Sequence, residues 1–108
     1  MRDAVGGGAL TEVTFYILLS LYTPRHGYSV MQFIERKTNG RLQLGAGTLY
    51  GALVSLKDKG WIVQIENNQG RRKEYKITPL GRSIAEKEYN RLQELTQIAF
   101  EIIKDGEI

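Results

Sequence analysis

The chain has 108 residues, 42% of them apolar and 25% charged, and this excludes a disordered or fibrous class and sets one domain with a modest core. It contains no cysteine, so disulfides and thiolate metal sites are excluded. The net charge of +3 is mild but uneven: between Arg25 and Lys76 ten basic residues stand against Glu35, Asp58, Glu66 and Glu74, while the remaining segments carry five basic and eight acidic residues. A basic middle between acidic flanks favours a polyanionic partner.

Residues 1–8 contain Gly6-Gly7-Gly8 and read as a flexible leader. Residues 10–21 are apolar at helical spacing through Leu10, Val13 and Ile17, with Leu18 and Leu21 beside them, and predict a buried first helix started by Thr11 or Thr14. Pro24 ends it. Residues 27–38 predict a second helix with Tyr28, Met31, Phe33 and Ile34 on its apolar side and Arg36 and Lys37 at its C-terminal end, before the turn Asn39-Gly40. Residues 44–59 predict a third helix with Leu49, Leu53 and Leu56 at core spacing, closed by Gly60 in a left-handed conformation.

Residues 61–66 alternate, with Trp61, Val63 and Ile65 on one side and Ile62, Gln64 and Glu66 on the other. Residues 72–77 alternate again after the turn 67–70, so a β-hairpin is expected whose tip carries Arg71, Arg72 and Lys73. Thr78-Pro79 opens a last helix, threonine as N-cap and proline at the first helical position, that runs to about Lys104. Leu92, Leu95, Ala99 and Ile102 recur at spacings of three, four and three, widened by Ile98 and Ile103. Such a seam needs a partner, and a second copy of the chain is the simplest one. Leu10 of the first helix is placed at the same interface.

The expected fold is mainly α with a β-hairpin wing: a winged helix-turn-helix over residues 9–78 followed by a long C-terminal dimerisation helix over 79–108. In this layout the third helix enters the major groove of double-stranded DNA, the second braces it across the backbone, and the hairpin sets cations against phosphates.

The runs His26-Gly27-Tyr28, Gly47-Thr48-Leu49-Tyr50-Gly51-Ala52-Leu53, Leu56-Lys57-Asp58-Lys59-Gly60-Trp61-Ile62 and Gly70-Arg71-Arg72-Lys73-Glu74-Tyr75-Lys76-Ile77-Thr78-Pro79-Leu80-Gly81 together resemble the PadR family of bacterial regulators. The single short C-terminal helix resembles the compact, dimeric branch. The resemblance implies DNA binding at a palindromic operator near a promoter. Thr48 and Tyr50 would meet phosphates and base edges, Gly45 and Gly47 would let the helix start approach a phosphate, and Tyr28 would touch the backbone. Only Lys57 and Lys59 remain as cations, near the far end of the third helix, and Arg71, Arg72 and Lys73 would be the wing contacts. The chain departs from the family in Gly51, where proline is usual, and in Val54 and Ser55, where basic residues are common. Compact relatives bind flat aromatic or drug-like molecules between the first and last helices, which nominates Phe15, Tyr16, Tyr89 and Leu92 as an effector pocket. Leu92 stands where some relatives carry an aromatic platform.

Blander readings stand beside these. Tyr50 reads as a core tyrosine with its hydroxyl at the surface, Thr48 as a helix cap, residues 71–73 as a solvated turn, and the aromatic rings as interface filler. Gly27 reads as a structural turn, and Glu86 and Glu88 as a solvated face. His26 is the only histidine, with no plausible triad partner, so no metal, cofactor or catalysis is expected. No apolar run approaches the roughly 18–20 residues that span a bilayer, and no signal-peptide core is recognisable, so the expectation is a cytoplasmic homodimeric repressor, with no membrane partner. The alternative is a ligand-binding or protein-docking dimer of weak DNA affinity.

Overall fold

The computed structural model describes residues 8–66 and 73–106. Helix α1 (Glu12–Ser20) starts at Thr11, whose hydroxyl oxygen accepts the Thr14 N–H at 3.2 Å and so satisfies one of the orphan donors of the first turn. Ile17, Leu18 and Leu21 are fully buried from it. The chain then extends through β1 (Arg25–His26), a two-residue strand that the sequence did not reveal, because alternation cannot show over two residues. It turns directly into α2 (Gly27–Lys37), where His26 is the N-cap: its Nδ1 accepts the Ser29 N–H at 3.3 Å. Asn39 and Gly40 follow in left-handed conformation, φ 52° and 81°, and reverse the chain toward α3.

Helix α3 (Ala46–Asp58) buries Leu49, Ala52, Leu53 and Leu56 against α1 and α2. Burying each of these leucines contributes about 1.5–3 kcal/mol, which is why this face, not the outer one, sets the orientation of the helix. Gly60 ends the segment at φ 78°, as expected. Strands β2 (Ile62–Ile65) and β3 (Glu74–Ile77) pair antiparallel, Ile62 with Ile77 and Gln64 with Tyr75, and β1 joins the other edge of β3, Arg25 with Tyr75. The wing is therefore a three-stranded sheet in the order β1-β3-β2. Ile62, Tyr75 and Ile77 turn into the core while Val63 lies outside.

Helix α4 (Pro79–Asp105) begins as read, with Thr78 as N-cap accepting the Gly81 N–H at 3.0 Å. Its start is tied to the head three ways. The Thr78 hydroxyl donates to the Gly60 carbonyl at 2.6 Å, the Thr78 N–H to the Trp61 carbonyl at 3.0 Å, and the Ile77 N–H to the Leu21 carbonyl at 2.9 Å. Gly81 sits so close to the Trp61 backbone that a Cβ there would overlap it. Ala85 and Glu88 continue the buried face against α1. Beyond that, α4 leaves the body: 27 residues make a rod of about 40 Å, and the molecule measures 57 × 29 × 22 Å.

Candidate nucleic-acid interface

With its leucines turned inward, α3 presents an outer stripe of Gly47, Tyr50, Val54 and Lys57 at i, i+3, i+7 and i+10, flanked by Thr48 and Gly51; all six are exposed. The stripe forms one wall of a groove of about 580 Å³. The start of α2 supplies His26, Gly27 and Tyr28, the sheet supplies Gln64 and Tyr75, and Lys73 comes from the wing just before β3. The groove thus gathers Tyr28, Tyr50, Lys57 and Lys73, four residues singled out from the sequence, from three separate elements. The two ammonium groups in its lining, Lys57 and Lys73, make the groove electropositive.

Tyr50 is 46% exposed, so it is not the core tyrosine of the bland reading. Its ring lies over Gly27, where an added Cβ would fall 2.5 Å from the hydroxyl oxygen and 2.7 Å from Cζ. Gly27 is therefore more than a turn: it makes room for the ring of a groove residue. Tyr28 is 57% exposed and lies parallel to the His26 ring, with centroids 6.5 Å apart. Burial pushes the Tyr75 hydroxyl above the usual phenol range, and the neighbouring Tyr50 adds to the shift, which keeps Tyr75 a neutral hydrogen-bonding group in the groove.

Gly45 is the N-cap of α3 and offers no side-chain cap hydrogen bond, and Gly47 has nothing within 4 Å of where a Cβ would stand. Thr48 is exposed on the first turn of α3. Arg71 and Arg72 lie outside the described residues, as do residues 1–7 and the turn 67–70. Sequence reasoning missed His26, Gly27, Gln64 and Tyr75 as groove residues. The available signal was His26-Gly27 immediately before an exposed tyrosine.

The second set of nominated residues lies between α1 and α4. Phe15, Tyr16 and Leu92 line a hollow of about 410 Å³ between α1 and α4, together with Leu10, Leu19, Glu12, Glu88 and Arg91. Tyr89, nominated with them, does not line it; it is exposed, and its hydroxyl accepts from Gln93 Nε2 at 2.9 Å. Leu10 is buried within its own protomer, so it lies beneath any interface. Leu95, Ile98 and Ile102 are about half exposed, with Leu92 and Ala99 intermediate, so the seam of α4 is uncovered along its length.

Glu88 corrects the solvated-face reading. Only 4% exposed, it accepts Arg91 Nε at 2.8 Å and Nη2 at 2.7 Å. The guanidinium holds its carboxyl below the ordinary range against the opposing effect of burial, and the Leu10 N–H adds to this. The pair therefore pins the entry to α1 onto α4.

Three helices feeding a twisted sheet, with the third helix and the sheet flanking one basic groove, define a winged helix-turn-helix of the transcription-regulator class, whose members bind DNA. A family model described as the transcriptional regulator PadR-like family matches residues 17–87, and the chain belongs to that family. It is 35% identical over 85 residues to an uncharacterised 37.1 kDa protein in transposon TN4556 of Streptomyces fradiae, a match that spans 79% of this chain but only 24% of that protein. The fold is similar to that of a PadR family transcription regulator from hypervirulent Clostridium difficile, with a TM-score of 0.72 and 20% identity over 86% of this chain and 99% of that one. It is also similar to a PadR-like transcription factor from Bacteroides fragilis, with a TM-score of 0.66 and 29% identity over 82% of this chain and 86% of that one. Among the described residues no helix is long and apolar enough to cross a membrane.

Proposed function

We propose that this protein is a cytoplasmic, homodimeric transcriptional repressor that reads a palindromic operator, each protomer placing α3 in the major groove of one half-site. The observation that carries this reading is the groove lined together by Tyr50, Val54 and Lys57 of α3, Lys73 of the wing and the start of α2. Lys57 and Lys73 contact phosphates, as do Arg71 and Arg72. Thr48, Tyr50 and Tyr28 donate hydroxyls to the backbone, fixing register. Gly45 and Gly47 let the start of α3 approach a phosphate, where its unpaired N–H groups favour an anion.

The two reading heads are joined through α4, with Leu92, Leu95, Ala99 and Ile102 packed on the same residues of a second copy and Leu10 beneath them. A flat aromatic effector seats in the hollow lined by Phe15, Tyr16 and Leu92, and changes the separation of the heads; its differential affinity for the two arrangements sets how much DNA binding it releases.

The test is a titration of the protein against promoter fragments, including its own upstream region, at several salt concentrations. Specific binding with a steep salt slope is expected, and Lys57→Ala and Lys73→Ala each lower that slope by about one. If no fragment binds better than random DNA at any salt, the reading fails. The alternative of a ligand-binding or protein-docking dimer then stands; it draws on the single cation, Lys57, in the body of α3.

A further inference from the structure

We propose that α3 selects its half-site by the methyl groups of thymine, through Val54, rather than by hydrogen bonds to guanine. The inference rests on the DNA-reading role proposed above and deepens it. Base edges in the major groove are read by a few side-chain types: arginine or lysine paired with guanine, asparagine or glutamine with adenine, acidic groups with cytosine, and apolar groups with the thymine methyl. From Ala46 to Leu56, α3 holds no arginine, lysine, asparagine, glutamine, aspartate or glutamate. Its outer face cannot make a bidentate contact with any base until Lys57, which lines the groove together with Lys73.

Besides Thr48 and Tyr50, whose ring lies over Gly27, what that face offers before Lys57 is small or apolar. Val54 is 57% exposed, although it stands at the centre of the stripe, with Tyr50 one turn before it and Lys57 one turn after. No core need explains an outward valine in a helix, where β-branching is mildly unfavourable. At Gly47 and Gly51 an added Cβ would have nothing within 4 Å among the described residues, so their packing does not require glycine there either. Bare backbone at these positions lets the helix axis sit deeper in the major groove than a helix fringed with long side chains. That depth is what a valine needs, because its methyls reach little beyond Cβ. Glycine at positions 47 and 51, the Tyr50 ring laid over Gly27 and valine at 54 are thus parts of one device, a helix edge that brings methyl to methyl.

The experiment is a selection of binding sites from a random duplex library, followed by titration of the enriched duplex and of versions with single thymines replaced by uracil, which removes only the 5-methyl group. The expected result is an enriched half-site with a thymine whose conversion to uracil weakens wild-type binding about fourfold, the effect of leaving one methyl unburied. Val54→Ala, a change on an exposed helix face that leaves folding intact, removes the two methyls that reach furthest and shows a smaller thymine-over-uracil difference than the wild type. A selected duplex that binds tightly with no uracil-sensitive position, or with Val54→Ala as uracil-sensitive as the wild type, overturns this inference and leaves the DNA-reading role standing. Failure to enrich any duplex overturns both.

Discussion

Gly81→Ala tests how the reading head is fastened to α4. Gly81 lies in the first turn of α4, where alanine is ordinarily the better helix former by about 1 kcal/mol. Here its Cβ would stand 2.7 Å from Ile77 Cγ1 and 3.0 Å from the Trp61 carbonyl carbon, with the carbonyl oxygen closer still. That carbonyl is not free to retreat, because it accepts the Thr78 N–H at 3.0 Å and so belongs to the cap of the same helix. Forcing a methyl into a well-packed site costs about 1–3 kcal/mol, and a backbone neighbour puts this site at the upper end. After the helix-propensity gain the net loss is about 2 kcal/mol, a fall in Tm of roughly 10 °C for a domain of this size. Gly51→Ala is the matched control: the same substitution, also inside a helix, with nothing within 4 Å of the new methyl. It should stabilise by about 0.5–1 kcal/mol. Thermal melts of both variants at one protein concentration, since a dimer's Tm moves with concentration, should shift in opposite directions. A Gly81→Ala protein that melts at or above the wild type would refute the close packing of α4 on Trp61.

Other perturbations follow from the same geometry. Gly27→Ala puts a methyl 2.5 Å from the Tyr50 hydroxyl oxygen and drives that ring out of the groove; affinity for the preferred duplex should fall about tenfold, the loss of one good hydrogen bond, while the melt barely moves. Glu88 is held ionised chiefly by the Arg91 guanidinium, so its carboxyl titrates below the unfolded value. A depressed pKa stabilises above the ordinary carboxylate range and is lost as pH falls through the folded value. Glu88→Gln should therefore be less stable than the wild type at pH 7, with the gap closing in acid; equal urea midpoints at pH 7 would contradict this. Replacing Leu95 and Ile102 together by glutamate should leave a folded monomer in sedimentation equilibrium, and a wild-type monomer at micromolar concentration would remove the seam.

Elements with strong local grammar were legible from the residues alone. Thr78-Pro79 announced the start of α4, Gly60 the end of α3, and the leucine spacing of α3 its buried face, because caps, left-handed glycines and 3.6-residue periods are local properties. The rest depends on tertiary neighbours. β1 exists because β3 offers it a free edge, and two residues carry no period. Gly27 is explained only by Tyr50, 23 positions away in the chain. Glu88 looks like surface by composition, yet it lies three residues after Ala85 and four before Leu92, on the buried stripe; that spacing was the signal. The nominated pocket divided for the same reason: Phe15, Tyr16 and Leu92 share a hollow, while Tyr89 points around the helix to Gln93. Val54 was read as a missing cation, and its exposure on a helix edge makes it a candidate reader instead.

The central claim is that two heads, each with α3 and a wing, read one DNA site together. Hydroxyl-radical footprinting of the wild-type protein on its tightest promoter fragment tests it most directly. Two protected patches related by a dyad, on one face of the duplex and centred one helical turn of about 10 base pairs or a multiple apart, are the expected result. A single patch without symmetry, or protection no stronger than on random DNA, would contradict it.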